Sequence, residues 1–336
     1  MRLHSLALLA CLTPVIVSAA TLDVPKSHES IQEAVNAASD GDTIRIAPGD
    51  YFENVKIEEK GALVLIGAAG AEKTVLDGNE KGIVLEVIRS GRTVIRDLTM
   101  QRGYTSGNGG GLSVQQSDVE VRDCVFLSNT ASNEGGGLMI SNCSDFLVSG
   151  CFFERNESEA ASAIGVVGGR GVLEKNRIRN NTGGLTISIT FSGCHIRENT
   201  IVKNLSTGFG VIGYAVSYEG EVRENTIAHN LGKEGTGAVL AQQGALRIEK
   251  NVIAFNEGVH GVQVQSRDNL VALSDNLIYQ NEGGDYIGIE AGEGDIAEDP
   301  LFCDARGEDY HVREGSPCID EKGNRRIGAL GKGCDR

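Results

Sequence analysis

The chain has 336 residues, of which 45 are glycine, 5 proline and none tryptophan, and its 46 acidic against 31 basic side chains give a formal charge of −15. That balance argues against nucleic acid, and against any other polyanion unless bound metal reverses the local field, leaving neutral glycans or cations as the easier partners. No charged or low-complexity block interrupts the sequence, so one continuous domain is expected despite a length that could hold two.

The first residues carry Arg2, an apolar run from Leu6 to Val17, and then Ser18-Ala19-Ala20. This pattern predicts a secretory signal peptide over residues 1–20, cut after Ala19 or Ala20, and a secreted or periplasmic mature chain. No later run reaches the roughly 18 apolar residues needed to cross a bilayer, so no transmembrane segment is expected. Ser30 and Glu33 form a capping box ahead of Ile31, Ala34 and Val35 at helical spacing. A short helix here is expected to lie across the first coil of a stack and protect its open edge. The stretch from Gly41 to Ile57 reads as strand, Pro48-Gly49 turn, strand.

From Leu98 to Asn281 one pattern returns. Asn-x-Ile-x-x-Asn begins at Asn176, Asn199, Asn225, Asn251 and Asn276, and variant copies open with Cys124 and Cys151. The closing asparagines, from Asn129 to Asn281, are 27, 25, 23, 26, 26 and 25 residues apart. A unit of about 25 residues with short strands and no helix cannot bury its apolar side alone, so it must stack on its neighbours. Two columns are apolar in every copy: Ile95, Val121, Val148, Leu173, Ile196, Val222, Ile248 and Leu273, and Met100, Phe126, Phe153, Ile178, Ile201, Ile227, Ile253 and Ile278. With parallel strands ~4.8 Å apart, equivalent asparagines stand above one another and can hydrogen-bond in a row, which makes them scaffold rather than chemistry.

Cys303, Cys318 and Cys334 cluster near the end and are expected to supply one bridge, with three pairings open. Cys124 and Cys151 stack at a separation that allows either a bridge or two buried thiols. Cys194 falls in an apolar column with Val119, Phe146, Leu246 and Val271.

The Ile31-x-x-Ala34-Val35 helix, Gly41-Asp-Thr-Ile44, Pro48-Gly-x-Tyr51 and Glu53-Asn-Val55 resemble the N-terminal cap of right-handed parallel β-helix proteins of the pectin-lyase-like group, pectin methylesterases among them. Phe-x-x-Asn at Phe126 and Phe153, with the triple glycines 109–111 and 135–137, is similar to repeats of chlamydial-type polymorphic outer-membrane proteins and of uncharacterised bacterial β-helix proteins. Asp299-Pro300, Asp309-Tyr310-His311 and Gly315-Ser-Pro-Cys318 look like the C-terminal cap common in such secreted proteins. The resemblance implies an all-β, single-stranded right-handed parallel β-helix over 21–296, a short N-terminal capping helix, and a C-terminal cap over 297–336. The catalytic motifs of pectin methylesterases, polygalacturonases and pectate lyases are missing, so the resemblance implies a fold more than a reaction.

On one outward face the rows read Glu174; His195 and Arg197; Glu221 and Arg223; Arg247 and Glu249. Glu174 is expected to face Arg197, His195 to face Glu221, and Arg223 to face Glu249. Asp97 and Asp123 are equivalent in adjacent coils, as are Glu198 and Glu224. Stacked carboxylates repel unless a cation or a shared proton lies between them, which makes Asp97 and Asp123 candidate calcium ligands and each pair a candidate acid/base pair. His195, Glu198, Glu221, Arg223 and Glu224 are the candidate substrate-binding residues, and no catalytic residue is assigned. The expected function is recognition of carbohydrate or cell-surface material on the lateral face of a monomer without obvious catalysis. A polysaccharide lyase or glycoside hydrolase, and a structural or adhesive envelope protein, are the alternatives.

Overall fold

The computed structural model describes residues 19–265 and 270–334, so all but the last two residues of the expected signal peptide lie outside the described residues. From Thr43 onward the backbone winds as a parallel solenoid. A narrow sheet of ten short strands, one per turn, runs from Gly49–Tyr51 to Leu277–Tyr279, and a wide sheet of nineteen strands forms the rest of the circumference. Register holds from coil to coil: Ile95, Val121, Val148 and Leu173 are successive partners, as are Met100, Phe126, Phe153 and Ile178. Both columns are buried, and the Phe126 and Phe153 rings stack 4.5 Å apart. Each coil buries its apolar residues chiefly against the coils above and below, which is why the period in sequence is also the unit of packing.

Two sharp corners per turn bound the narrow sheet. At the first, Asp123, Lys175, Glu198, Glu224, Lys250 and Asp275 all adopt φ between 50° and 55°. A left-handed conformation costs a non-glycine residue about 1–2 kcal/mol, and the residue that follows offsets this. Asn199 accepts at Oδ1 from the backbone N–H (2.9 Å) and side-chain amide (3.0 Å) of Asn176, and its own amide donates to Leu173 O at 2.8 Å and to Asn225 Oδ1 at 3.0 Å. The second corner repeats this along Asn129, Asn156, Asn181, Asn204, Asn230, Asn256 and Asn281. In both rows the amide donates toward the next coil, so the last rung needs only an acceptor. Aspartates supply it: Asp295 Oδ1 takes the Asn276 amide at 3.0 Å and Asp285 Oδ1 takes that of Asn281 at 3.0 Å.

At the N-terminal end the helix Ile31–Ala37 lays Ile31, Ala34 and Val35 on the first coil. Ser30 Oγ accepts from Glu33 N at 3.1 Å, while the Glu53 carboxylate accepts from Ile31 N and Gln32 N, both at 3.0 Å. Asp42 accepts from Ala20 N and Ser39 N, so the Gly-Asp-Thr and Glu-Asn-Val signatures are helix-docking devices.

The C-terminal segment covers a flank rather than an end. Its strands Phe302–Asp304, Asp309–Arg313 and Lys332–Cys334 form a small sheet closed by the Cys303–Cys334 disulfide, with Cα atoms 6.1 Å apart. Phe302, Tyr310, Val312, Cys318, Ile319 and Ile327 pack on Val202, Ala228, Val252, Ala254 and Leu277, the outward residues of the narrow sheet, forming a second apolar cluster. Cys124, Cys151, Cys194 and Cys318 are free buried thiols.

Candidate functional site

The wide sheet carries the polar lateral face that the sequence outlines. Register places Val172, His195, Glu221 and Arg247 side by side on successive coils. Glu221 is largely covered, and its two oxygens lie 3.7 Å from His195 Nδ1 and 3.6 Å from Arg247 Nη2. Two depressions, of about 360 and 120 Å³, flank this row and share His195 and Glu219 as their common wall. Arg247 and Leu270 line one; Asp145, Arg170 and Tyr218 line the other. The Tyr218 ring is 60 % exposed, and the backbone below is fixed by the buried Tyr214 hydroxyl, which donates to Cys194 O at 3.0 Å. The result is a shallow groove along the solenoid axis, with anions and cations from neighbouring coils in alternation. Further along the same coils Arg197 reaches Glu174 at 2.7 Å as the register requires. Arg223 departs from expectation: although it lies opposite Glu249 in the register, its guanidinium turns to the corner residue Glu224 at 3.1 Å.

Glu198 and Glu224 stand apart from this groove. They occupy consecutive left-handed corners, and the cation their stacking demands is Arg325 of the C-terminal segment. Its Nη2 donates to Glu198 Oε2 at 3.1 Å and Glu224 Oε2 at 3.2 Å, while Nη1 donates to Ala329 O. Ala329 N donates in turn to Thr226 Oγ1, and Gly328 N to Lys250 O, so residues 325–329 are stitched across the corner column. Asp97 and Asp123 occupy two earlier corners. Arg96 lies 3.7 Å from Asp97, and the next corner, Gly150, has no side chain and no room for one beside the Asp123 carboxylate. Among the described residues no three His, Cys, Asp or Glu side chains converge on a metal-sized site.

Sequence reasoning missed the C-terminal contribution entirely. Besides Arg325, Glu308 enters a basic cluster of Arg177 (3.3 Å), Arg179 and Lys203 (3.6 Å). His229 is wedged between the two layers, its ring 5.2 Å from Phe255, 5.7 Å from Tyr310 and 6.3 Å from Phe302. Burial, assisted by Lys203 and opposed by Glu257, holds its imidazole below the usual histidine range. Below about pH 6.5 the unfolded chain therefore takes a proton that the folded chain resists, and stability falls as pH drops. Denaturant midpoints between pH 7.5 and 5 are expected to decline for this reason, and His229→Gln is expected to flatten the decline; an unchanged slope would remove His229 from the account.

Comparison with known proteins supports this architecture. The family described as right handed beta helix region matches residues 81–230, and one described as disaggregatase related matches 244–324. No curated protein sequence matches significantly. Among solved structures, the pectate lyase Pel9A is similar at 15 % identity and a TM-score of 0.64, covering 94 % of this chain and 98 % of its own. A mannuronic acid specific family 6 polysaccharide lyase from human gut microbiota aligns at 10 % identity over 80 % of this chain and 82 % of its own, with a TM-score of 0.29. A variant of the alginate lyase AlyGC aligns at 12 % over 92 % and 58 %, also at 0.29. With the in-register parallel coils and the matched repeats, the chain is a right-handed parallel β-helix of the pectin-lyase-like fold.

Proposed function

We propose that the protein is exported and binds carbohydrate on its lateral face, in the groove centred on His195. The observation that carries this reading is the groove's composition: Arg170 and Arg247 alternate with Asp145 and Glu219 around an open Tyr218 ring, with Glu221 between His195 and Arg247. Sugar hydroxyls both donate and accept, so they suit a surface where carboxylates and guanidinium groups alternate, and a tyrosine face offers apolar contact to a pyranose ring. Because the charges nearly balance within the groove, a neutral glycan is favoured over a polyanion, in keeping with the acidity of the whole chain. Successive coils ~4.8 Å apart place His195, Glu221 and Arg247 in one row along the axis, so an extended chain would meet a different polar group at each of three steps. His195 and Glu221 belong to this groove, whereas Glu198 and Glu224 hold Arg325 of the C-terminal segment and Arg223 turns away to Glu224.

The test is retention of the monomeric mature protein on a panel of neutral and acidic polysaccharides, with reducing ends and unsaturated products followed in parallel. Saturable retention on a neutral polymer without product is expected, with Tyr218→Ala and His195→Ala each weakening it about tenfold, a loss of ~1.4 kcal/mol. Product formation would replace the binding reading with a lyase or hydrolase. Neither retention nor product would leave a structural or adhesive role.

A further inference from the structure

The C-terminal segment does not lie flush on the solenoid. Between it and the corner column opens a cleft of about 710 Å³, bounded by Lys175, Arg177 and Glu198 on one side and by Glu308, Tyr310 and His311 on the other. Its volume is in the range of small-molecule sites, and it lies around the corner from the His195 groove.

Most charges in the cleft are already matched. Glu198 is held by Arg325 at 3.1 Å. Glu308 is held by Arg179, Lys203 and one edge of Arg177. His311 Nδ1 lies 2.7 Å from Asp309 Oδ1, a contact that keeps the Asp309 carboxyl below its usual range and leaves Nε2 unused. Two donors remain. Lys175 makes no ion pair or side-chain hydrogen bond among the described residues, and only one amino group of Arg177 is engaged with Glu308.

A third donor is of a different kind. Tyr310 is 2 % exposed, yet its hydroxyl has no hydrogen-bond partner among the described residues. Its ring is fixed edge-on against Phe302 at 5.2 Å and His229 at 5.7 Å, so the phenol cannot swing out to find one. Burial raises the Tyr310 phenol to about 12, and Arg177 is the charge that opposes the shift, so the proton stays on a donor beside the guanidinium. A buried hydroxyl without an acceptor costs about 1–3 kcal/mol. Arg177 is half exposed at the cleft wall; burial and the neighbouring Arg179 lower its pKa while Glu154 opposes the shift, and one amino group stays free of the Glu308 pair.

We propose that this cleft is a second ligand site, in which Lys175, Arg177 and the Tyr310 hydroxyl together hold the oxyanion group of a small polar molecule, a phosphate or a carboxylate, with His311 at the mouth. Lys175, Arg177 and Tyr310 line the one cleft from three elements, the corner column, the narrow sheet and the C-terminal sheet. The site therefore exists only while the C-terminal segment is docked.

The experiment is a calorimetric titration of the mature protein with inorganic phosphate and, separately, with acetate, at constant ionic strength. One saturable site is expected, and the tighter anion identifies the group carried by the natural ligand. Tyr310→Phe keeps the ring packing and removes only the donor, and Lys175→Ala alters an exposed side chain; each is expected to weaken binding at least tenfold. His195→Ala is expected to leave it unchanged, which separates this site from the lateral groove. Absence of saturable binding of both anions by a protein whose far-ultraviolet spectrum shows it folded would overturn the proposal. So would equal affinities in the wild type and both variants.

Discussion

Asn225→Ala is expected to destabilise the solenoid by about 3–5 kcal/mol, far more than its size suggests. The Asn225 carbonyl oxygen accepts from Asn199 N and from the Asn199 amide, and its own amide donates to Ile196 O, Arg223 O and Asn251 Oδ1 at 2.8–3.0 Å. The residue is fully buried, so alanine leaves those donors and acceptors without water. It also removes the bonds that offset the left-handed corner at Glu224. Asn133→Ala is the control: this asparagine is exposed, its side chain makes no hydrogen bond among the described residues, its backbone is not left-handed, and its loss is expected to cost under about 0.5 kcal/mol. Denaturant unfolding of the two variants measures the contrast. Similar midpoints would mean that the row of amides does not carry the stability assigned to it.

Reversing Arg325 is expected to have the second largest effect. Arg325→Glu would set a third carboxylate beside Glu198 and Glu224, where one guanidinium now serves both. Each partner is roughly three-quarters covered, so the repulsion is only partly screened, and loss of the bridge plus the new repulsion is expected to cost about 2–4 kcal/mol. The loss should be local. Residues 325–329 would release from Thr226 and Lys250, while the Cys303–Cys334 bridge and the packing of Phe302 and Tyr310 hold the rest of the segment. Amide exchange is expected to accelerate over 320–332 and remain slow in the coils. Restoring opposite charges with Glu198→Arg in the Arg325→Glu background should recover part of the protection. Unchanged exchange in the single variant would show that apolar packing alone fixes this segment.

The solenoid was legible because it is built from contacts of constant separation. Val121, Val148 and Leu173 meet in the register that a period of about 25 residues requires, and the asparagine rows follow from the same spacing. The disulfide was legible only as a choice among three cysteines. Contacts of irregular separation were not readable. Arg325 reaches partners 127 and 101 residues away, and Glu308 reaches Arg177 across 131, with no repeat to indicate either. The groove was half legible: His195 and Glu221 follow from alternation, but Tyr218 lies where register shifts between Ser217 and Gly220, so period-two reasoning could not place its ring. Arg223 shows the remaining limit, since register fixes which residues are opposite and not which of two carboxylates a flexible side chain will choose.

The two amide rows have a direction, and that direction gives the whole rod a head and a tail. Every asparagine passes one amide hydrogen toward the C-terminal end while the other returns to the preceding coil, so an asparagine on the last rung would offer a fresh donor to anything stacked beyond it. Asp285 and Asp295 receive and pass nothing on, and the second oxygen of Asp295 is turned inward to Gly292 N and the Tyr286 hydroxyl. A second rod docking its head on this tail would meet negative charge where it needs an amide, so these two residues act as full stops against continuation of the amide rows into a next molecule.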